Sequence, residues 1–109
     1  MSLESHFLSI IQRLDAVTEA PHHHIVSFKI KNRIFATLNL SESRACVKLT
    51  PIDQSSFCSY NLEHVYPVPN KWGKHGWTNI NLKLVHPEML EDALFTAYET
   101  VKLNKKLSD

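Results

Sequence analysis

A chain of 109 residues, 43% hydrophobic and 21% charged, is one domain by ordinary size statistics and can build a real core. No apolar run approaches the ~20 residues that span a bilayer, and the opening "MSLESHFLSIIQRLD" has neither a basic start nor a cleavage site, so a cytoplasmic chain without membrane contact is expected. The net charge of +1 argues against a strong polyanion binder, yet residues 20–87 are net positive by five while both ends are net negative.

Leu3, Phe7, Ile10, Ile11, Leu14 and Val17 recur at helical spacing, with Ser2 available as N-cap and Glu4 in the first turn, so the chain begins with a helix. After a break at Glu19-Ala20-Pro21, Val26, Phe28 and Ile30 alternate with Ser27, Lys29 and Lys31 in the period of a half-buried strand. Asn32 tolerates the left-handed backbone of a tight turn. "RIFATLNL" then sets Ile34, Ala36, Leu38 and Leu40 against Phe35, Thr37 and Asn39, and "RACVKLT" sets Ala45, Val47 and Leu49 against Arg44, Cys46 and Lys48. These are two further strands of a meander.

Thr50 as N-cap, Pro51 at the first helical position and Asp53 as a capping-box acid start a short second helix that ends near Tyr60. A fourth strand is expected around Val65 to Val68. "WTNINLKL" forms a fifth, with Ile80, Leu82 and Leu84 inward, and His86-Pro87-Glu88 opens a last helix that turns Leu90, Leu94, Ala97, Tyr98 and Val101 to the core. Between these strands, Pro67 and Pro69 hold an extended approach and Gly73 and Gly76 permit a hairpin that presents Lys71, Trp72 and Lys74. The order α-β-β-β-α-β-β-α predicts a two-layer α+β domain, an antiparallel sheet with helices on one face. The other face would carry Lys29, Phe35, Thr37, Arg44, Lys48, Trp77, Asn79, Asn81 and Lys83.

The segments "VSFKIKNRIFATLNL", "ACVKLTPIDQSSFC", "VYPVPNKWGKHGWTNINL" and "EMLEDALFTAYETV", in this order and over nearly the whole chain, resemble the MmcQ/YjbR family. The most specific parts are Arg33-Ile34-Phe35-Ala36, the stretch ending Gly76-Trp77 before the fifth strand, and the Ala97-Tyr98 pair. The resemblance implies an α+β fold of the secretion-chaperone-like type with the element order given above. It also implies DNA binding, the label its members commonly carry. Asn32 departs from the Gly often found at that turn, but asparagine adopts the same backbone.

The residues themselves argue against several chemistries. His22, His23 and His24 are consecutive, so on a strand at most two converge, and no Cys or acid sits at a spacing that completes a zinc site. Two glycines and the sequence "GKHG" do not make a phosphate loop. Cys46 and Cys58 are expected to be reduced thiols, and Cys58 lies near a helix C-terminus, where the dipole disfavours thiolate. No nucleophile, base and orienting group fall together, so neither an enzyme nor a cofactor is expected.

Two binding readings are left. Lys71, Trp72, Lys74, Trp77 and Lys83, with Arg44 and Lys48 as secondary phosphate contacts, combine electrostatic positioning with stacking, which suits weak, non-specific DNA binding. Alternatively, Phe35 and Trp77 anchor a protein contact or self-association, rimmed by lysines that are otherwise ordinary solubilising residues.

Overall fold

Residues 3–103 are described by the computed structural model. Helix α1, Glu4–Gln12, turns Phe7, Ile10 and Ile11 inward. Ser2 lies outside the described residues; Leu3 occupies the N-cap position without a side-chain bond. The helix stops short of Val17 because Ala16, at φ 63°, swings the chain away, although Leu14 and Val17 still pack on the core.

The stretch read as a break is a strand. Thr18–His22 forms β1, which pairs with β2, Ile25–Ile30. It is an edge strand with little apolar pattern, and Pro21 is tolerated there because an edge residue has no second neighbour to bond. Lys31 and Asn32, at φ 53° and 67°, make the turn to β3, Arg33–Asn39. Two consecutive positive φ values are the signature of a two-residue hairpin turn whose twist matches the strands. Next come β4, Arg44–Lys48; α2, Pro51–Cys58; and β5, Val65–Pro67. A single helical turn α3, Lys71–Lys74, precedes β6, Trp77–Asn81, and α4, Pro87–Lys102, closes the fold. The six strands form one antiparallel sheet in the order β1-β2-β3-β4-β6-β5.

The architecture is the expected α+β pair of layers with two additions, β1 and α3. Both helices start on side-chain N-caps: the Thr50 hydroxyl accepts the Asp53 N–H at 3.2 Å, the Thr50 half of the anticipated capping box, and His86 Nδ1 accepts the Glu88 N–H at 3.3 Å. Helices α1 and α4 cover one sheet face around a single core that includes Phe7, Phe28, Leu38, Leu82, Leu90 and Leu94. Phe7 and Phe28 meet with ring centroids 5.4 Å apart.

Phe35 corrects the expected face. It is fully buried, edge-on to Tyr98 of α4 at 5.5 Å, while Ile34 is 37% exposed. The cause is a β-bulge: Phe28 pairs with Ala36 but Lys29 pairs with Ile34, so Phe35 is an extra residue and the alternation slips by one. Tyr98 is fixed in turn by its hydroxyl, which donates to the Asp15 carbonyl at 2.7 Å. At the end of β6, Asn81 accepts the Lys83 N–H through its side chain, which turns the chain and leaves Leu84 exposed rather than inward. Among the described residues, no helix is long and apolar enough to cross a membrane.

Candidate functional site

The sheet face opposite α1 and α4 is open, and cross-strand register dictates what it presents. Ala20, Ser27, Thr37, Cys46, Asn79 and Tyr66 form one row across all six strands. His22, Ile25, Asn39, Arg44 and Asn81 form a second. In a third, Lys29 faces Ile34 and Lys48 faces Trp77.

Where the third row meets the 68–76 connection, Ile34, Cys46, Val68, Trp72 and Trp77 line an apolar depression of about 340 Å³. That connection is more than a hairpin. Val68 N–H donates to the Trp77 carbonyl at 3.0 Å, and the Asn70 side chain caps α3 by accepting the Trp72 N–H at 2.9 Å. Gln54 reaches over from α2; its amide nitrogen lies 2.9 Å from the Gly73 carbonyl, 3.1 Å from that of Trp77 and 3.2 Å from Thr78 Oγ1. Gly73 and Gly76 are both buried, because the backbone passes tightly against Val68 and Leu49. Trp72 is thus held on a braced loop that leads into Trp77 at the start of β6.

The anticipated contact residues divide into two groups and one exception. Lys71 and Lys74 are exposed, Trp72 is 54% exposed, and Trp77 is half-buried, all at one end of β6. Arg44 and Lys83 sit at the other end: Arg44 is half-buried and paired with Glu42, and Lys83 is exposed in the turn that follows Asn81. Lys48 is the exception. It lies on the open face but is only 8% exposed, with its ammonium donating to the His75 carbonyl and lying 5.6 Å from the centre of the Trp77 ring. A lysine so occupied braces the loop rather than reaching out to a phosphate.

Sequence patterns did not reveal Ile34, Val68 and Cys46 as lining residues, nor Gln54 as the clamp. Asn70 carried a readable signal, an N-cap residue type just ahead of Lys71-Trp72. The histidines of the β1–β2 hairpin do not assemble a ligand set. His22 and His23 stack edge-on at 4.3 Å, with His23 in the turn at φ 58°. Among the described residues, no three His, Cys, Asp or Glu side chains gather as a metal requires.

Both cysteines are free thiols. Burial pushes the Cys46 thiol up to about 11, outweighing a backbone hydrogen bond from Thr78 and the charge of Arg44 that both act to lower it. Burial also raises Cys58. Neither is a thiolate near neutrality, so Cys46 offers the depression an apolar wall instead of a nucleophile. Between pH 9 and 11 the folded state keeps a proton at Cys46 that the unfolded chain releases, so stability must fall as pH rises through that window. Urea unfolding at pH 8 and pH 10.5 should show a smaller loss for Cys46→Ala than for the parent; equal losses would contradict the assignment.

A family model described as YjbR matches residues 12–100. The fold is similar to that in the crystal structure of Deinococcus radiodurans protein DR2400, a DUF419 domain, with TM-score 0.81 and 22% identity, covering 100% of this chain and 83% of that one. No curated protein matches the chain. The element order, the braced Gly76-Trp77 segment and the Phe35–Tyr98 contact are the structural counterparts of the stretches that carried the resemblance, and the chain belongs to the YjbR family.

Proposed function

We propose that the chain is a non-enzymatic, low-affinity DNA-binding module that uses the open sheet face and the loop carrying Trp72. The charge layout supports this reading. Residues 20–41 and 64–87 contain Lys29, Lys31, Arg33, Lys71, Lys74 and Lys83 and no acid. Of these, Lys29 lies on the open face across from Ile34, and Lys71 and Lys74 flank Trp72, whereas Arg33 pairs with the inward Ile30 and Lys83 lies at the far end of β6. The acids Glu88, Glu91, Asp92 and Glu99 belong to α4, in the opposite layer. The sheet side therefore attracts a polyanion that the helix side repels.

With Lys48 committed to His75, roughly three to five phosphates are within reach of the remaining cations. Affinity should then be modest, insensitive to sequence, and weaker by roughly 20- to 500-fold at about 200 mM salt than at about 50 mM. Fluorescence anisotropy of a labelled oligonucleotide at the two salt concentrations tests this. No binding at the lower salt, or binding indifferent to salt, would reject it.

A second reading is supported by the depression itself. A half-exposed tryptophan beside Ile34 and Val68, rimmed by lysines, also has the composition of a protein contact, with a second copy or a peptide as occupant. Sedimentation of the parent and Trp77→Ala proteins separates the two. A concentration-dependent dimer lost in the variant favours protein contact, and a monomer at all concentrations removes self-association.

A further inference from the structure

Resting on the DNA-binding reading above, we infer that the depression between Ile34, Cys46, Val68, Trp72 and Trp77 is a stacking site for an unpaired base, so that the preferred ligand is single-stranded nucleic acid. The site is a shallow, open depression, and its volume of about 340 Å³ lies at the lower end of the ~300–1,000 Å³ typical of small-molecule sites. It accommodates a flat ring system that can leave its neighbours. A base inside a duplex offers only its edges, because both its faces are covered by adjoining pairs.

The element around the site is also wrong for groove reading. Helix α3 is a single turn, Lys71–Lys74, embedded in a loop, whereas major-groove recognition uses a longer helix or a two-stranded ribbon that stands clear of the body. What the loop does offer is an indole with lysines on both sides of it in sequence, Lys71 and Lys74. A base stacked on Trp72 places its own phosphates beside those ammonium groups. Lys29, paired across the strands with Ile34, supplies positive charge on the opposite rim. The walls are indole, aliphatic and thiol groups, the last kept neutral by burial, so the site has a π-face and no side-chain pattern for reading base edges. Stacking of that kind tolerates any base.

The test uses the whole protein with a labelled oligothymidylate about a dozen nucleotides long, and a duplex of equal length as competitor, at low salt. The single strand should bind more tightly than the duplex and quench tryptophan fluorescence. Trp72→Ala should weaken single-strand binding by about five- to 150-fold, while Trp72→Phe retains most of it. Because Trp72 is exposed, neither change should unfold the chain, and an unchanged urea midpoint verifies this. Equal affinity for duplex and single strand, with Trp72→Ala affecting neither, would overturn the stacking site and leave the basic-face reading standing. Failure of both nucleic acids to bind would remove that reading as well. Loss of a dimer in Trp72→Ala without any effect on oligonucleotide would assign the depression to protein contact instead.

Discussion

Replacing Gly76 by alanine is expected to destabilise the fold by about 3 kcal/mol or more, seen as a drop of at least roughly 1 M in the urea midpoint. Two independent costs act at this position. Its φ of +101° is a backbone conformation that L side chains rarely adopt, and a Cβ there would lie 1.8 Å from the Leu49 carbonyl oxygen. The neighbour cannot yield, because it is backbone in the continued β4–β6 ladder: Leu49 N–H donates to the Gly76 carbonyl at 3.1 Å. Relief requires the strand and loop to part, which also strips the Lys48 and Thr78 contacts gathered around residues 75 and 76. A loss below about 1 kcal/mol would mean that the loop does not pack against β4 as described.

Phe35→Ala is expected to cost about 3–5 kcal/mol and Ile34→Ala only about 1 kcal/mol, measured by the same denaturation. Phe35 is fully enclosed and sits edge-on to Tyr98, whereas Ile34 is at the surface of the open face. Simple alternation along β3 demands the opposite order. The pair therefore reads the bulge directly, and a larger loss for Ile34→Ala would return Phe35 to the outer face.

That bulge shows where legibility ended. The period-two pattern of "RIFATLNL" locates the strand and correctly buries Ala36 and Leu38, but nothing in it announces that Phe35 and Ala36 will both face inward. The extra residue is decided by pairing with β2, a long-range event with no local signature. Strand β1 was hidden for another reason. As an exposed edge element containing Pro21, it has none of the apolar alternation by which strands are recognised, and its partner on one side alone keeps it in place. Helix α3 is shorter than any periodic signal. By contrast, the caps at Thr50 and His86 and the core stripe of α4 rest on local chemistry, and were readable for that reason.

The site was legible in composition and not in arrangement. Lys71, Trp72, Lys74 and Trp77 stand together in sequence and remain together in space, because the braced loop carrying the first three runs directly into Trp77 at the start of β6. Lys48 looked like an outward lysine of a half-buried strand; it points to the predicted face, but the fold lays Trp77 and the His75 carbonyl over its ammonium. Arg44, paired with Glu42, and Lys83 both belong to the far end of β6, away from Lys71 at the Trp77 end. Of the seven candidate residues, four thus form a compact aromatic-basic corner, while Arg44, held by Glu42, and Lys83 stand apart from it.

Whether that corner is the contact surface is tested most directly by amide and indole chemical shifts of isotope-labelled protein titrated with oligothymidylate at low salt. Progressive shifts are expected at both tryptophan indoles, at the amides of residues 71–77 and at Ile34 and Cys46, with little change at Glu91 and Phe95 on the helix side. Shifts confined to α1 and α4, or none with the oligonucleotide in excess, would contradict the assignment of the open sheet face as the binding face.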